Sequence, residues 1–322
     1  MIDTIYIEVP IQYLKKLDNK SNTVDDKTGE IIYSNGYKGC IKIRQFNDMV
    51  RIEASLSKVL FVNNIQSLTF LQMILALKKI EFELGINIRE GIIRRLDIEY
   101  TFNTKYKPKE YFKYLGNSRY YTRFKTGGTS LYYKNNNREI NFYDKIREMK
   151  SKRVIIPLEF KGKNIMRFEC RYKNTFLRTF AKKNRLSILK ISDLINPNIY
   201  LKLLKLTFKE YNSINKENEL SATLSSISTK KKMIKELASV GIKSLGGAFK
   251  VQEMIDIAKT KSSLIPNEYF SRRKAEVREL AKENPFIEKS GIIDEIDYKM
   301  QQLYNFKKTN INNKLDNFLN DK

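Results

Sequence analysis

Seven stretches in the first 172 residues alternate apolar and polar side chains with the period of a strand: 4–9 (TIYIEV), 39–46, 49–56, 94–102 (RRLDIEYTF), 129–134, 139–145 and 166–172. Polar turns separate them, tightly at Asn47 to Met49 and through the asparagine-rich run Lys134 to Arg138. Two segments follow a different period. Residues 63–85 place apolar side chains three and four apart and close on Gly85, and residues 107–117 run from Pro108 to Gly116, so both read as helices. From about residue 174 helical spacing takes over, at 174–185, 199–212, 229–240, 250–261 and 268–284, and the polar end 305–322 reads as one loose or fraying helix. The expectation is an α+β chain: an antiparallel or mixed sheet with helices on a face over residues 1–180, then a mostly helical domain over 181–322.

Charge changes this picture from a fold to a partner. The chain carries 61 Lys and Arg against 36 acids, a net +25, which points to a polyanion, nucleic acid before an anionic membrane. A chain this rich in Lys, Asn and Ile carries part of that excess as compositional drift. The distribution says more: residues 1–100 hold 14 basic and 13 acidic side chains, residues 101–200 hold 24 and 7, and the rest 23 and 16. The middle third is the electrostatic face. Cys40 and Cys170 stand far apart and read as small core residues of a reducing compartment. No stretch approaches the roughly 18 apolar residues of a membrane span, and the first ten residues lack a basic start and a long apolar run, so a soluble cytoplasmic protein with no membrane partner is expected.

The chain has no histidine and no tryptophan. That excludes histidine general bases, Ser-His-Asp and Cys-His nucleophiles, and zinc sites that need imidazole. Chemistry here must use carboxylates, Tyr, Lys, Arg, Ser or Thr. In RRLDIEYTF, Asp97 and Glu99 share one strand face while Leu96 and Ile98 take the other. Side chains so placed lie about 6–7 Å apart and can grip one divalent cation, or they form a solvated face over a buried one. Tyr143 ends a candidate strand, Asp144 can cap the helix that follows, and Lys145, Arg147 and Lys150 surround it. Cations there favour the phenolate and hold a phosphodiester; the other reading makes Tyr143 one of 19 packing tyrosines. Glu169 shares a face with Arg167 and Arg171, either as a third metal ligand between two phosphate-gripping guanidiniums or as part of a charge ladder. Between these motifs, Tyr114, Tyr120, Tyr121, Phe124, Tyr132 and Tyr133 interleave with Arg119, Arg123, Lys125 and Lys134, a mixture suited to unpaired bases and their backbone. The run KTGG lacks the order of a phosphate-binding loop, so an NTPase is rejected.

Taken in order, RIEASLSKVL, RLDIEYTF, REINFYDKIREM and IMRFECRYKNTFLRTF resemble the replication-initiation proteins of filamentous phages and the related phage and plasmid rolling-circle initiators, over about residues 1–180. The resemblance implies a fold related to the HUH endonucleases, in which a strand carries two metal-binding histidines around a hydrophobic residue and a tyrosine attacks DNA. The filamentous-phage branch has acids in their place. Asp97-Ile98-Glu99 matches its acidic pair with the order of the two acids swapped, and Tyr143 matches its nucleophile with Asp144 where that branch has an apolar residue. Tyr172, three residues after Glu169, is the rival nucleophile, since other relatives place theirs on a helix.

The resemblance implies a nickase and strand transferase that begins rolling-circle replication at an origin. Asp97, Glu99 and Glu169 would hold Mg2+ or Mn2+, Tyr143 would form a 5′-phosphotyrosyl link, and Lys145, Arg167 and Arg171 would clamp phosphates. Single-stranded or supercoiled origin DNA would be the partner, with a host helicase and polymerase beside it. A noncatalytic basic DNA-binding regulator and a metal-dependent nuclease using water stand as alternatives. The second domain would bind origin duplex, a host helicase or another copy of the protein, and its runs Lys230 to Lys232 and Arg272 to Lys274 read either as phosphate-tracking or as solvated helix faces.

Overall fold

The computed structural model describes residues 1–10, 15–61, 63–216, 219–220, 229–262, 265–282, 287–288 and 291–320. The chain divides into two compact units, residues 1–216 with 292–322, and residues 217–291. The division falls at 216/217 and not at 180/181.

A ten-stranded antiparallel sheet organises the first unit. Its strands are β1 (Ile2–Pro10), β2 (Asp18–Val24), β3 (Ile31–Lys38), β4 (Ile41–Gln45), β5 (Met49–Ser55), β6 (Ile92–Thr104), β8 (Thr122–Thr126), β9 (Ser130–Lys134), β10 (Arg138–Asp144) and β11 (Asn164–Lys173), while β7 (Leu115–Ser118) pairs separately with β12 (Ile214–Lys216). The spatial order is β2-β3-β4-β5-β1-β6-β11-β10-β9-β8. All seven strands expected from the alternation are present. Strands β2 and β8 went unread because their sequences are polar and largely exposed, and β3 because its buried positions are Ser34 and Gly36, so none carries a clear apolar alternation.

Helices α1 (Leu56–Leu60), α2 (Phe70–Leu84), α3 (Pro108–Tyr111), α4 (Lys145–Ser151), α5 (Asn174–Lys183), α6 (Ile191–Leu194) and α7 (Pro197–Asn212) complete this unit together with most of the last helix. Leu96, Ile98, Tyr100, Phe168, Cys170, Tyr172, Ile140 and Phe142 form the sheet's apolar face and share one core with Tyr200, Leu203, Leu204 and Tyr211 of α7. That shared burial, about 25 cal/mol for each Å2 of apolar surface, ties residues 181–216 to the sheet.

The helix expected over 63–85 begins only at Phe70. Thr69 caps it in a reciprocal pair with Gln72, while Asn63 Oδ1 accepts from the Ile65 amide in a local turn. Gly85 closes it at φ +71°, as expected. The helix expected over 107–117 stops at Tyr111, because Arg123 donates to the carbonyls of Phe112 and Leu115 and Tyr133 donates to Leu115 and Gly116. Cys170 is buried as expected, but Cys40 sits exposed in a turn; both thiols are free.

The second unit contains α8 (Lys230–Ser244), α9 (Ala248–Thr260) and α10 (Asn267–Lys282). Lys274 of α10 pairs with Asp256 of α9. Lys230, Lys231, Arg272 and Arg273 are exposed there, and the side chain of Lys232 lies outside the described residues. The closing helix α11 (Gly291–Asn320) takes up the polar end of the chain, and its Ile293, Ile296 and Met300 join the core of the first unit. Among the described residues no helix is long and apolar enough to cross a membrane.

Candidate active site on the polar face of the sheet

Register builds the site. Glu99 on β6 stands opposite Glu169 on β11, Asp97 opposite Arg171 and Thr101 opposite Arg167. On the far side of β11, Asn141 and Tyr143 of β10 stand opposite Glu169 and Arg167. Directly opposed residues share a face, so Asp97, Glu99, Glu169, Arg167, Arg171 and Tyr143 project together. A register shift in β1 between Ile2 and Thr4 adds Asp3, whose Oδ1 accepts from Ser55 Oγ at 3.0 Å. No alternation could have revealed Asp3, because its facing depends on that irregularity.

This face is not solvated. Asp97 is 2% exposed, Glu99 1% and Arg167 0%, which overturns both the solvent-facing strand and the surface charge ladder. Two glutamates opposed in a buried sheet repel, and cations interleave to hold them. Arg95 binds Asp97 through Nε at 2.8 Å and again through Nη2. Arg171 spans Asp97 and Glu169, both at 3.3 Å. Glu99 accepts from the Met1 ammonium and from Thr101 Oγ1, each at 2.7 Å, with Arg167 Nε at 3.6 Å. Arg167 also donates to Thr101 Oγ1 at 2.7 Å and to the carbonyls of Asn64 and Ile65. It is therefore an internal brace and not the phosphate clamp expected of it. Burial works against its charge, but Tyr143, Glu99, Asp3 and Glu169 hold its pKa above the ordinary value.

Tyr143 closes β10 beside these acids, and Asp144 caps α4 by accepting from the Arg147 amide at 2.9 Å, as expected. The Tyr143 hydroxyl donates to Glu169 Oε2 at 3.2 Å. Burial, and then the Glu169 charge, raise its pKa well above the usual phenol, the opposite of the phenolate expected from the basic run. Glu169 is pushed up to about 7 by burial and then by Asp97 and Asp3. Tyr143, Glu169, Arg171, Asn141, Tyr132 and Arg147 line a cleft of about 340 Å3. A larger cleft of about 650 Å3 over β4, β5 and β1 is lined by Lys42, Arg44, Arg51, Arg94 and Glu8, and none of the expected site residues reaches it.

Other expected residues fall elsewhere. Tyr172 faces the core, where its hydroxyl meets Thr207 Oγ1 at 2.9 Å and its ring stacks on Phe176. Lys145 is wholly buried and donates to Asn64 Oδ1 and Glu148 Oε2, each at 2.8 Å. Burial, and then Arg167, lower its pKa to about 8. Arg123 braces the segment from α3 into β7, whereas Arg119, Lys125 and Lys134 are exposed. Reading by sequence missed Arg95, Asn64 and Glu148. Arg95 was legible, being two residues before Asp97 on the same strand face.

The donors fit a divalent cation in kind, since Asp97, Glu99, Glu169 and Asp3 crowd carboxylate oxygens onto one buried face and their mutual repulsion is what such an ion relieves. Among the described residues no three of these groups converge around one point. Arg171 and Arg95 occupy the approaches to Asp97.

Fold and site define a sheet protein with an acid and guanidinium cluster beside one buried tyrosine. The family described as the N-terminal part of a phage replication-associated protein matches residues 1–196, and the chain belongs to it. Among solved structures, the rolling-circle replication initiator protein from Geobacillus stearothermophilus is similar at 14% identity with a TM-score of 0.32, over 72% of this chain and 89% of that one. No curated protein matches.

Proposed function

We propose that this replication-associated protein starts rolling-circle replication by nicking one strand of origin DNA, with Tyr143 as nucleophile. The observation that carries the reading is the Tyr143 hydroxyl, 3.2 Å from a carboxylate oxygen of Glu169 in an open cleft. A phenol with a raised pKa needs a base as it attacks. Glu169, whose Oε2 already accepts from that hydroxyl, takes its proton. The phenolic oxygen then bonds to phosphorus while the bond to the 3′ oxygen breaks; that oxygen leaves as a hydroxyl, protonated from solvent, and a polymerase extends it. The 5′ phosphate stays on Tyr143, so the link conserves the bond energy and rejoining needs no ATP. Arg171, 29% exposed at the cleft, meets the phosphate. Lys145 and Arg167 act beneath, as positioning residues.

Asp97 and Glu99, with Glu169, would hold Mg2+ or Mn2+, which when bound supplies positive charge to the phosphate. Incubation with labelled single-stranded origin oligonucleotides and Mn2+ should give an adduct that survives denaturation in the parent protein and is lost in Tyr143→Phe. An adduct that persists in that variant rules out Tyr143. Cleavage with no adduct would instead point to a hydrolytic nuclease.

One observation favours a second reading, a noncatalytic DNA-binding regulator: the acids already have cationic partners, Asp97 with Arg95 and Arg171, Glu99 with Arg167 and the Met1 ammonium. Salt-sensitive binding that survives EDTA and Asp97→Ala, with no cleavage of any origin, would select it.

A further inference from the structure

One cross-strand row runs from the candidate nucleophile's cleft to the edge of the sheet. Glu169 stands opposite Asn141, Asn141 opposite Tyr132, and Tyr132 opposite Phe124 on the edge strand β8. The rings of Phe124 and Tyr132 lie parallel, 9° apart in plane with centroids 5.2 Å apart. Tyr132 also lines the cleft, and Phe124 is 41% exposed. Between Tyr132 and Glu169, the buried amide oxygen of Asn141 has no hydrogen-bond partner among the described residues. Lys125 and Lys134 are exposed on the same two strands, and Arg119 on the turn before them. The hairpin tip is Gly127-Gly128, both at positive φ, a tight turn that leaves the ring pair uncovered by any loop of its own. An exposed ring face on an edge strand is a liability unless something covers it.

We propose that Phe124 and Tyr132 are a stacking platform for an unpaired base of the DNA strand whose phosphate meets Tyr143. This deepens the proposed function and rests on it for the identity of the strand. The chemistry selects single-stranded nucleic acid: a base face for the rings and a phosphate backbone for the flanking cations. Strands in a sheet lie about 4.8 Å apart, so Tyr132 and Phe124 stand two and three steps, roughly 10 and 14 Å, from Glu169. A stacked strand advances about 3.4 Å per nucleotide. The stacked base therefore lies within about four nucleotides of the attacked phosphate, close enough to set which phosphate Tyr143 meets.

The chain has no tryptophan, so Phe124→Trp makes a single-tryptophan protein whose fluorescence reports this platform alone. Titration of the full chain with oligo(dT), in EDTA so that no chemistry follows, should quench that fluorescence. Phe124→Ala, and Phe124→Leu, which keeps apolar contact with Tyr132, should each weaken binding about 5- to 150-fold at fixed salt, while Phe124→Trp retains affinity. Unchanged affinity in Ala and Leu variants that keep the parent's circular dichroism, or bound strand without quenching, overturns the platform. Quenching by duplex DNA as strong as by single strand overturns the assignment to unpaired bases. The outcome is separate from that of the nucleophile: an adduct without quenching removes the platform alone, and quenching without any adduct upholds the platform while removing Tyr143 as nucleophile.

Discussion

The two faces of β11 are built from the same alternation and held by different physics. Phe168 and its neighbour Arg167 are both fully buried, yet they point opposite ways. Phe168 meets the rings of Phe142, Tyr211 and Tyr100 with centroids 4.9, 5.8 and 6.1 Å away. Such contacts are many and non-directional, so each can be lost on its own. Arg167 instead answers Thr101, Glu99, Asp3 and two backbone carbonyls. Charges in low dielectric hold only as a closed set, because a partner left behind keeps its desolvation cost. The apolar face is a sum of parts, whereas the polar face works as one balanced cluster.

The largest expected effect tests that contrast directly. Phe168→Ala and Arg167→Ala should each cost about 3–5 kcal/mol in urea unfolding. Their pH dependence should differ. Arg167 is one of the cations holding Glu169 down from a still higher pKa than about 7. A carboxyl whose folded pKa is raised binds more protons folded than unfolded, so its cost is fully present above the folded value and fades as the pH falls toward the unfolded one. The Arg167→Ala penalty should therefore shrink between pH 8 and pH 5, and the Phe168→Ala penalty should not. Two parallel penalties would mean that Arg167 contributes by packing alone.

The same contrast explains what could be read without coordinates. Period two placed Asp97 with Glu99 on one strand face and Glu169 with Arg167 and Arg171 on another, and the uninterrupted register of β6, β11 and β10 is what joins those faces and adds Tyr143. It did not show that this face is covered, since coverage comes from Asn64 and Ile65, 81 to 103 residues away along the chain from their partners Lys145 and Arg167. Two cations taken for phosphate clamps therefore proved internal. Asp3 was hidden by a register shift, and the early start of the 63–85 helix failed because Thr69 and Asn63 make caps and turns that apolar spacing ignores. Hydrophobic period reports facing, whereas charge balance depends on the tertiary neighbours.

Lys145 offers a smaller effect with a defined pH window. Its pKa falls from 10.5 to about 8 because burial disfavours the ammonium. Between pH 8 and pH 10.5 the unfolded chain binds more protons here than the folded one, so this group's contribution to stability rises with pH across that window. Below pH 8 the full cost of a buried charge is present, on the order of 3 kcal/mol with the opposing pull of Glu148 already included, and the hydrogen bond to Asn64 offsets part of it. Lys145→Met should thus be more stable than the parent by about 1–2 kcal/mol at about pH 7, with the advantage gone near pH 10. A variant less stable than the parent at neutral pH would show that the two hydrogen bonds outweigh the desolvation.

Arg171 gives the smallest effect and sharpens the comparison most, because it is the cation of the cluster best able to leave it. Its guanidinium is partly exposed, and it spans Asp97 and Glu169, two of the carboxylates assigned to a divalent ion. If that ion and Arg171 compete for the same oxygens, Arg171→Gln removes the competitor and keeps a polar side chain at the surface. Mn2+ affinity, read by calorimetry or by the spin resonance of the free ion, should then tighten about tenfold, the equivalent of about 1.4 kcal/mol. Asp97→Asn in the same background should reverse the gain. An affinity that stays constant or weakens in Arg171→Gln would place the metal away from these acids and leave the polar face as a structural charge cluster, the arrangement the regulator reading requires.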